Sequence, residues 1–385
     1  MQPPISFTAL LAIVCSLVCI ALANTIHECT VEKRQDEHVC VFRSVVYRAN
    51  DTNFVFKAPA SPKVEHIVFE DSTLNHIPTE FLTAFPTLKA LTVVQANLSS
   101  VVIPSKLERL YASNNRISKV IVHQTKDSTT MTELILDSNH LSDISNLTRL
   151  AKLEILMLSG NKELPFEDTV DLGRFKGLDS LRSLVLSDVG MMYVENKDNV
   201  ALPSLELLDL SNNNLITTNL EMKVLAPMKK LEILRLTHTL ISDLEALQLT
   251  QNNGNLRKVY LEGNNFQCDR QKQIVDHFNL SGVETPVDNK NANCIHGFQK
   301  QNDICCQTAA LGKLHQALEP TTKIATSPEV QTTTPSTSTM PSRMEKNKES
   351  AATLIMLGNG LLVLTFVAIL KSVGGKTVDD ERPRW

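Results

Sequence analysis

Eight cysteines, four Asn-x-Ser/Thr sequences and a scatter of Ser, His and Asp are the residues of this chain whose types could do chemistry. The cysteines are unevenly spread. Cys15 and Cys19 lie in an N-terminal apolar run, Cys29 and Cys40 follow, and none occurs again until Cys268, Cys294, Cys305 and Cys306. Cysteines grouped at both ends of a long cysteine-free stretch suit disulfide-closed caps in an oxidising compartment. Four cysteines at the C-terminal end allow three pairings, and the spacing does not choose among them. One alternative stays open: Cys305 or Cys306 crosses to a disulfide-linked partner chain. The sequons at Asn50, Asn97, Asn146 and Asn279 fit N-glycosylation of the same secreted region.

Catalytic chemistry finds no constellation. The sequence contains no G-x-S-x-G, no H-E-x-x-H and no phosphate-cradling glycine loop. His140 and His238 fall at turn positions and read as surface or hydrogen-bonded side chains rather than metal ligands. No enzyme activity, metal or cofactor is expected. A formal net charge of −4 with 21% charged residues gives no electrostatic footprint for nucleic acid.

The elements that carry these residues are set by two apolar runs and a repeat. Ile5 to Leu22 is apolar and ends in Ala21-Leu22-Ala23, a small-x-small cleavage pattern, so residues 1–23 read as a signal peptide. Ala351 to Leu370 is a second apolar run. Its twenty residues at 1.5 Å each span about 30 Å, the thickness of the hydrocarbon core. Lys371, Lys376, Arg382 and Arg384 follow it, which places a short tail, 371–385, in the cytoplasm. The expectation is a single-pass type I protein of the plasma membrane with its ectodomain outside.

Between these runs the pattern L-x-x-L-x-L-x-x-N-x-L starts nine times, at Val64, Leu88, Leu107, Met131, Leu153, Leu181, Leu205, Leu231 and Leu256. The period matches leucine-rich repeats. Each L-x-L is expected to be a short strand with alternate residues turned inward, and the Asn to turn the chain while satisfying buried backbone groups. Ser72 and Thr239 can partly replace that Asn, whereas Ala96 and Val189 cannot, so local irregularity is expected there, with a loosened turn at Met191-Met192. The fold expected is an α/β-type leucine-rich-repeat solenoid: short parallel strands on the concave face, an irregular or short-helical convex side, disulfide caps and one transmembrane helix. Residues 24–63 form the N-terminal cap, 64–267 the repeats, and 268–318 a C-terminal cap with a short helix over Gln307 to Leu318. A Ser/Thr/Pro-rich stalk, 319–350, follows. Twenty to thirty such residues extend about 60–90 Å.

Outward positions of the strands form columns across the concave face. The central column reads Val68, Thr92, Tyr111, Ile135, Met157, Val185, Asp209, Arg235, Tyr260. One flank carries Arg109, Glu133, Ile155, Ser183, Leu207 and Ile233, and the other the hydroxyls Ser113, Ser159, Ser187, Ser211 and Thr237. Ile135, Ile155, Met157, Val185, Leu207 and Ile233 should make one apolar patch, the kind of surface that meets a protein partner. Tyr111, Asp209 and Arg235 border it.

The order of signal peptide, N-terminal cysteine pair Cys29 and Cys40, nine repeats, Cys268, Cys294 and then the doublet Cys305-Cys306 resembles the mosquito leucine-rich repeat immune protein family. The run Ala351 to Leu370 makes it similar to the transmembrane subgroup of that family. The resemblance implies innate immunity, with an extracellular protein ligand such as a complement-like thioester protein. It also implies disulfide-linked heterodimers held by C-terminal coiled coils. This chain departs there, because Gln307 to Leu318 offers at most a dozen helical residues, short for a coiled coil. The alternative function is a cell-adhesion receptor or co-receptor, for example neuronal. A Toll-like signalling receptor is disfavoured by the short tail.

Overall fold

The computed structural model describes residues 25–308, apart from 35, 49–53, 62, 78, 124–128, 165–167 and 218–219. The expected leader, the sequon at Asn50, most of the helix expected over Gln307 to Leu318, the stalk, the membrane span and the tail lie outside the described residues. Among the described residues no helix is long and apolar enough to cross a membrane.

The frame is one eleven-stranded sheet. Its strands are β1 (Thr30–Arg34), β2 (Glu37–Arg43), β3 (His66–Glu70), β4 (Ala90–Thr92), β5 (Arg109–Tyr111) and β6 (Glu133–Ile135). They continue with β7 (Ile155–Met157), β8 (Ser183–Val185), β9 (Leu207–Asp209), β10 (Ile233–Arg235) and β11 (Lys258–Tyr260). All neighbours pair in parallel except β1 with β2, which form an antiparallel hairpin. The nine strands β3 to β11 sit on the nine repeats of the sequence, each opening two residues after the first apolar position. The parallel ladder also includes β2, so it begins one strand ahead of the first repeat, inside the N-terminal cap.

Alternation fixes which face is buried. The middle residues Leu110, Leu134, Leu156, Leu184, Leu208 and Leu234 are fully buried, while their strand neighbours stay half-buried on the other face. One repeat cannot cover its own leucines, so each is covered by the next along the stack.

The Asn after each strand closes the turn. Asn139 Nδ2 donates to the carbonyls of Ala112 and Leu136, both at 2.9 Å, and its Oδ1 accepts from the Ile117 amide at 3.0 Å. Asn115, Asn161, Asn213 and Asn264 bond in the same manner. Ser72 and Thr239 substitute in part: Ser72 Oγ takes the Val45 amide and gives to Glu70 O, and Thr239 Oγ1 donates to Leu236 O. Where Ala96 and Val189 stand instead, the irregularity takes a definite form. Asn97 and Gly190 have φ of 65° and 79°, which turns two successive odd-spaced amides toward the Asn of the next repeat. Ala96 and Leu98 both donate to Asn115 Oδ1, and Val189 and Met191 both donate to Asn213 Oδ1. Leu240, after Thr239, is held at φ 66°, a costly conformation for a bulky side chain. The loosened turn expected at Met191-Met192 is therefore not found. Met191 is fully buried, and its amide and carbonyl are both bonded.

The far side of the core is built from short pieces. They are 3-10 turns at Ser145–Arg149, Leu172–Phe175 and Met222–Leu225, four small parallel ribbons, and the helices α1 (Thr79–Ala84) and α2 (Ala246–Asn252). At the N-terminal end the aliphatic core gives way to an aromatic plug. Phe42, Phe56, Phe69, Phe81 and Phe85 are buried against one another with ring centroids 5.0–6.4 Å apart. The low overall aromatic content hid this concentration. Cys29 bonds Cys40 over the hairpin.

The other end is closed by α3 (Cys268–Leu280), which buries Gln271, Ile274, Val275 and Phe278 against the last repeat, and by a hairpin of Phe298–Gln301 with Ile304–Gln307. Gln307 thus ends a strand, where a helix was expected to start. The doublet is used within the chain: Cys268 bonds Cys306 and Cys294 bonds Cys305. This corrects the interchain alternative, because neither sulfur of the doublet is left to cross to a partner chain. Adjacent residues of a strand point to opposite sides, which lets the two bonds run to two different partners.

Candidate protein-binding face

Three columns of side chains cross the open face of the sheet, the face turned away from the leucine core. Strand register aligns Tyr111, Ile135, Met157, Val185, Asp209, Arg235 and Tyr260 in one, and Arg109, Glu133, Ile155, Ser183, Leu207, Ile233 and Lys258 in the next. Every one of these residues is half-buried by its neighbours. Ile135, Met157 and Val185 are therefore consecutive in one column, with Ile155, Leu207 and Ile233 beside them, interrupted only by Ser183. Strands about 4.8 Å apart make this apolar strip about 20 Å long.

Three expected members of the face are not on its surface. Val68 is buried, packed between Val39 and Val41 of β2 in a small apolar cluster separate from the main core. The extra parallel strand supplied by the cap is what covers it. In the hydroxyl column Ser211 and Thr237 are only 3% and 4% exposed. Ser113, Ser159 and Ser187 stay half-buried. That column also contains Asp137, which accepts from the Ser159 amide at 2.8 Å. Burial pushes the Asp137 carboxyl above its ordinary range, and the Ser159 bonds only partly offset this.

Polar groups at both ends of the strip are spent on each other. At the N-terminal end Arg34 and Arg43 each bridge both Glu32 and Glu70, at 2.6–2.9 Å. Glu37 holds Arg109 at 2.9 Å and His66 Nδ1 at 3.2 Å. Burial would raise the Glu37 carboxyl, but the Arg109 and His66 bonds and charges outweigh it and the net shift is downward. Burial depresses His66, whose Nε2 also meets Thr92 Oγ1 at 2.9 Å. Tyr111 donates to Glu133 at 2.6 Å, and burial, reinforced by that carboxylate, pushes the phenol far upward, so it stays a protonated donor. At the C-terminal end Arg235 lies 4.1 Å over the Tyr260 ring and pairs with Asp209 at 3.3 Å and with Asp288. Along one border Arg182 forks onto Glu206 at 2.8–3.1 Å, Lys89 meets Glu65 and Arg257 meets Glu232.

The arrangement offers apolar contact in the middle and neutralised, hydrogen-bonded polarity around it. That is the anatomy of a protein contact surface, apolar at the centre and polar at the rim. The exposed sequons Asn97 and Asn279, and Asn146 in its 3-10 turn, fall off all three columns. Among the described residues no group of three His, Cys, Asp or Glu is placed to hold a metal ion. The border column beginning at Glu65 was readable from the repeat, one residue after each opening apolar position. Asp288 and Glu37 were not, because they reach the face from the caps.

These features define a leucine-rich-repeat protein with disulfide caps. No family model matches the chain, and no curated protein matches it. Among solved structures it is similar to the leucine-rich repeat domain of APL1B at 19% identity over 80% of this chain and 100% of that one, with a TM-score of 0.47. The leucine-rich repeat domain of LRIM1 aligns at 16% identity over 72% and 94%, with a TM-score of 0.44. Internalin C2 from Listeria monocytogenes aligns at 25% identity over 50% and 77%, with a TM-score of 0.36. Likeness at this level concerns the fold, which the strand register of the chain itself already defines.

Proposed function

We propose that this chain is a cell-surface recognition protein that binds another protein across the open face of its sheet, in insect innate immunity. The observation that carries the binding is the strip of Ile135, Met157, Val185, Ile155, Leu207 and Ile233, in register and bordered by satisfied charges. The immune setting rests on the cysteine arrangement, Cys29 and Cys40 before the repeats and Cys268, Cys294 and Cys305-Cys306 after them. On this reading a cleaved leader delivers the chain, Ala351 to Leu370 anchors it, the Ser/Thr/Pro stalk holds it off the bilayer, and glycans on Asn97, Asn146 and Asn279 leave the face open. The ligand is an extracellular protein, with a complement-like thioester protein as the first candidate.

Met157→Asp with Val185→Asp places two charges in the centre of the strip and touches no core leucine. The double variant should be secreted and disulfide-bonded like the parent. Its capture of a purified thioester protein should fall at least tenfold, since losing a central apolar anchor costs upward of about 1.4 kcal/mol. Undiminished capture by the double variant would remove the open face as the binding surface.

A further inference from the structure

A cleft of about 350 Å³ opens where the last repeat meets the C-terminal disulfide cap. One wall is the turn after β11, with Glu262, Gly263 and Asn265. The other is the cap, with Ile295, Phe298, the Cys294–Cys305 bond and Asp303. The volume is that of an ordinary small-ligand pocket.

Its shape depends on Gly263, which has φ +71°. A β-carbon there would collide with the His238 ring, so glycine leaves room for the imidazole to form part of the lining. Its charge is of one sign. Glu262 and Asp303 are carboxylates, and no Lys or Arg is among the lining residues. Glu262 spends one oxygen on the Asp288 amide at 2.8 Å. Asp303 sits in the tight turn of the hairpin at φ 62°, and its carboxylate makes no ion pair among the described residues. The apolar part is exposed as well: Ile295 is 72% accessible at the mouth, beside half-buried Phe298. An aliphatic stem ending in a cation matches both halves of that lining.

The cleft adjoins the open face. Asp288 ties the two together: its carboxylate pairs with Arg235, stacked on Tyr260, and its amide bonds Glu262 of the cleft wall. Glu262 occupies the outward position after β11 that Ser211 and Thr237 occupy after β9 and β10. We infer that this cleft receives a lysine or arginine side chain of the protein bound on the open face. The inference rests on the open-face reading for its partner, but the cleft itself can be tested without one.

The probes are Nα-acetyl-arginine amide and its uncharged citrulline isostere, titrated calorimetrically into the full detergent-solubilised chain. The arginine compound should bind saturably, and the citrulline compound about tenfold more weakly or worse. Glu262→Gln with Asp303→Asn should lose the difference; both amides keep a hydrogen-bond acceptor, and Asn accepts the left-handed turn at 303. Equal binding of the two probes, no saturable binding of arginine amide, or unchanged preference in the amide variant each overturns the proposal. The Met157→Asp, Val185→Asp variant should bind arginine amide like the parent. A protein ligand that survives the face variant and is lost in the cleft variant would sink the open-face reading, and with it the cleft's assigned partner, but not the cleft's preference for a cationic side chain.

Discussion

At the scale of single residues, the asparagines behind the strands do the most structural work per atom. Asn139 donates to the carbonyls of Ala112 and Leu136, which it shares with Asn115 and Asn161, and takes the amide of Ile117, all in the dry interior. Asn139→Ala leaves the Ile117 amide unpaired, while Asn115 and Asn161 still donate to the two carbonyls, and should cost about 1–3 kcal/mol, the range for one orphaned buried group. Chemical denaturation of the ectodomain checks this; a loss below 1 kcal/mol would show that the turn re-forms without its side chain. The Asn positions were legible from their spacing. How Ala96 and Val189 are tolerated was not, because the remedy is a backbone turn at Asn97 and Gly190 that recruits the next repeat. The inward or outward sense of the residues named for the open face was legible too, except at Val68 and, just past their strands, at Ser211 and Thr237. Neighbouring elements bury these three, which alternation within one strand cannot register.

At the scale of elements, the two caps differ in how they close the stack. The N-terminal cap uses an aromatic plug, a hairpin and one short disulfide. The C-terminal cap uses α3, a second hairpin and two disulfides. The N-terminal cap and the first repeat each hold one histidine in surroundings that favour the neutral ring. His27 stacks 4.3 Å from Phe54 and is depressed by burial, and His66 is depressed mainly by burial, with Arg109 and Arg34 adding to it and Glu37 opposing. The unfolded chain takes up protons at these sites near 6.5, before the folded chain does. Their contribution to stability is therefore complete above about 6.5 and is lost as the pH falls from there through the lowered folded values. The depressed carboxylates Glu32, Glu37 and Glu65 lose theirs only below about 4.5. Amide exchange in β1 to β3, corrected for its intrinsic pH dependence, should thus accelerate between pH 7 and 5.5 while β7 to β9 hold. Uniform behaviour along the sheet would contradict this assignment. The element boundaries of the repeats could be read from sequence to within two residues. α3 could also have been read from the spacing of Ile274, Val275 and Phe278, but the one helix expected in this cap was placed over Gln307 to Leu318 instead.

For the whole molecule, each repeat contacts only its neighbours, so stability is close to a sum of nearest-neighbour terms and loss at one end need not reach the other. Removing the Cys294–Cys305 bond by double Ser substitution releases a loop of eleven residues in sequence separation, and should cost about 2–3 kcal/mol on chain-entropy grounds. Exchange protection should fall first in α3 and β11, then in β10, with β3 to β5 last. Simultaneous loss at every amide would show one cooperative unit instead. The open face spans this gradient, with its apolar strip in the middle and its ion-paired borders tied to the two caps through Glu37 and Asp288.

The sequence by itself determined the nine strands, their inward leucines, the parallel order and the columns that cross the open face. These follow from local quantities, the two-residue alternation of a strand and the repeat spacing, which every turn of the stack states again. Only the tertiary structure decided the pairing of the four C-terminal cysteines, the burial of Val68, Ser211 and Thr237, the extra parallel strand of the cap, and the acidic cleft beside Gly263. Each of these depends on groups brought together from distant segments: Glu37 and Arg109 are 72 residues apart, Arg235 and Asp288 are 53 apart, and Cys268 and Cys306 are 38 apart. No period in the sequence encodes such meetings, because the caps occur once and repeat nothing.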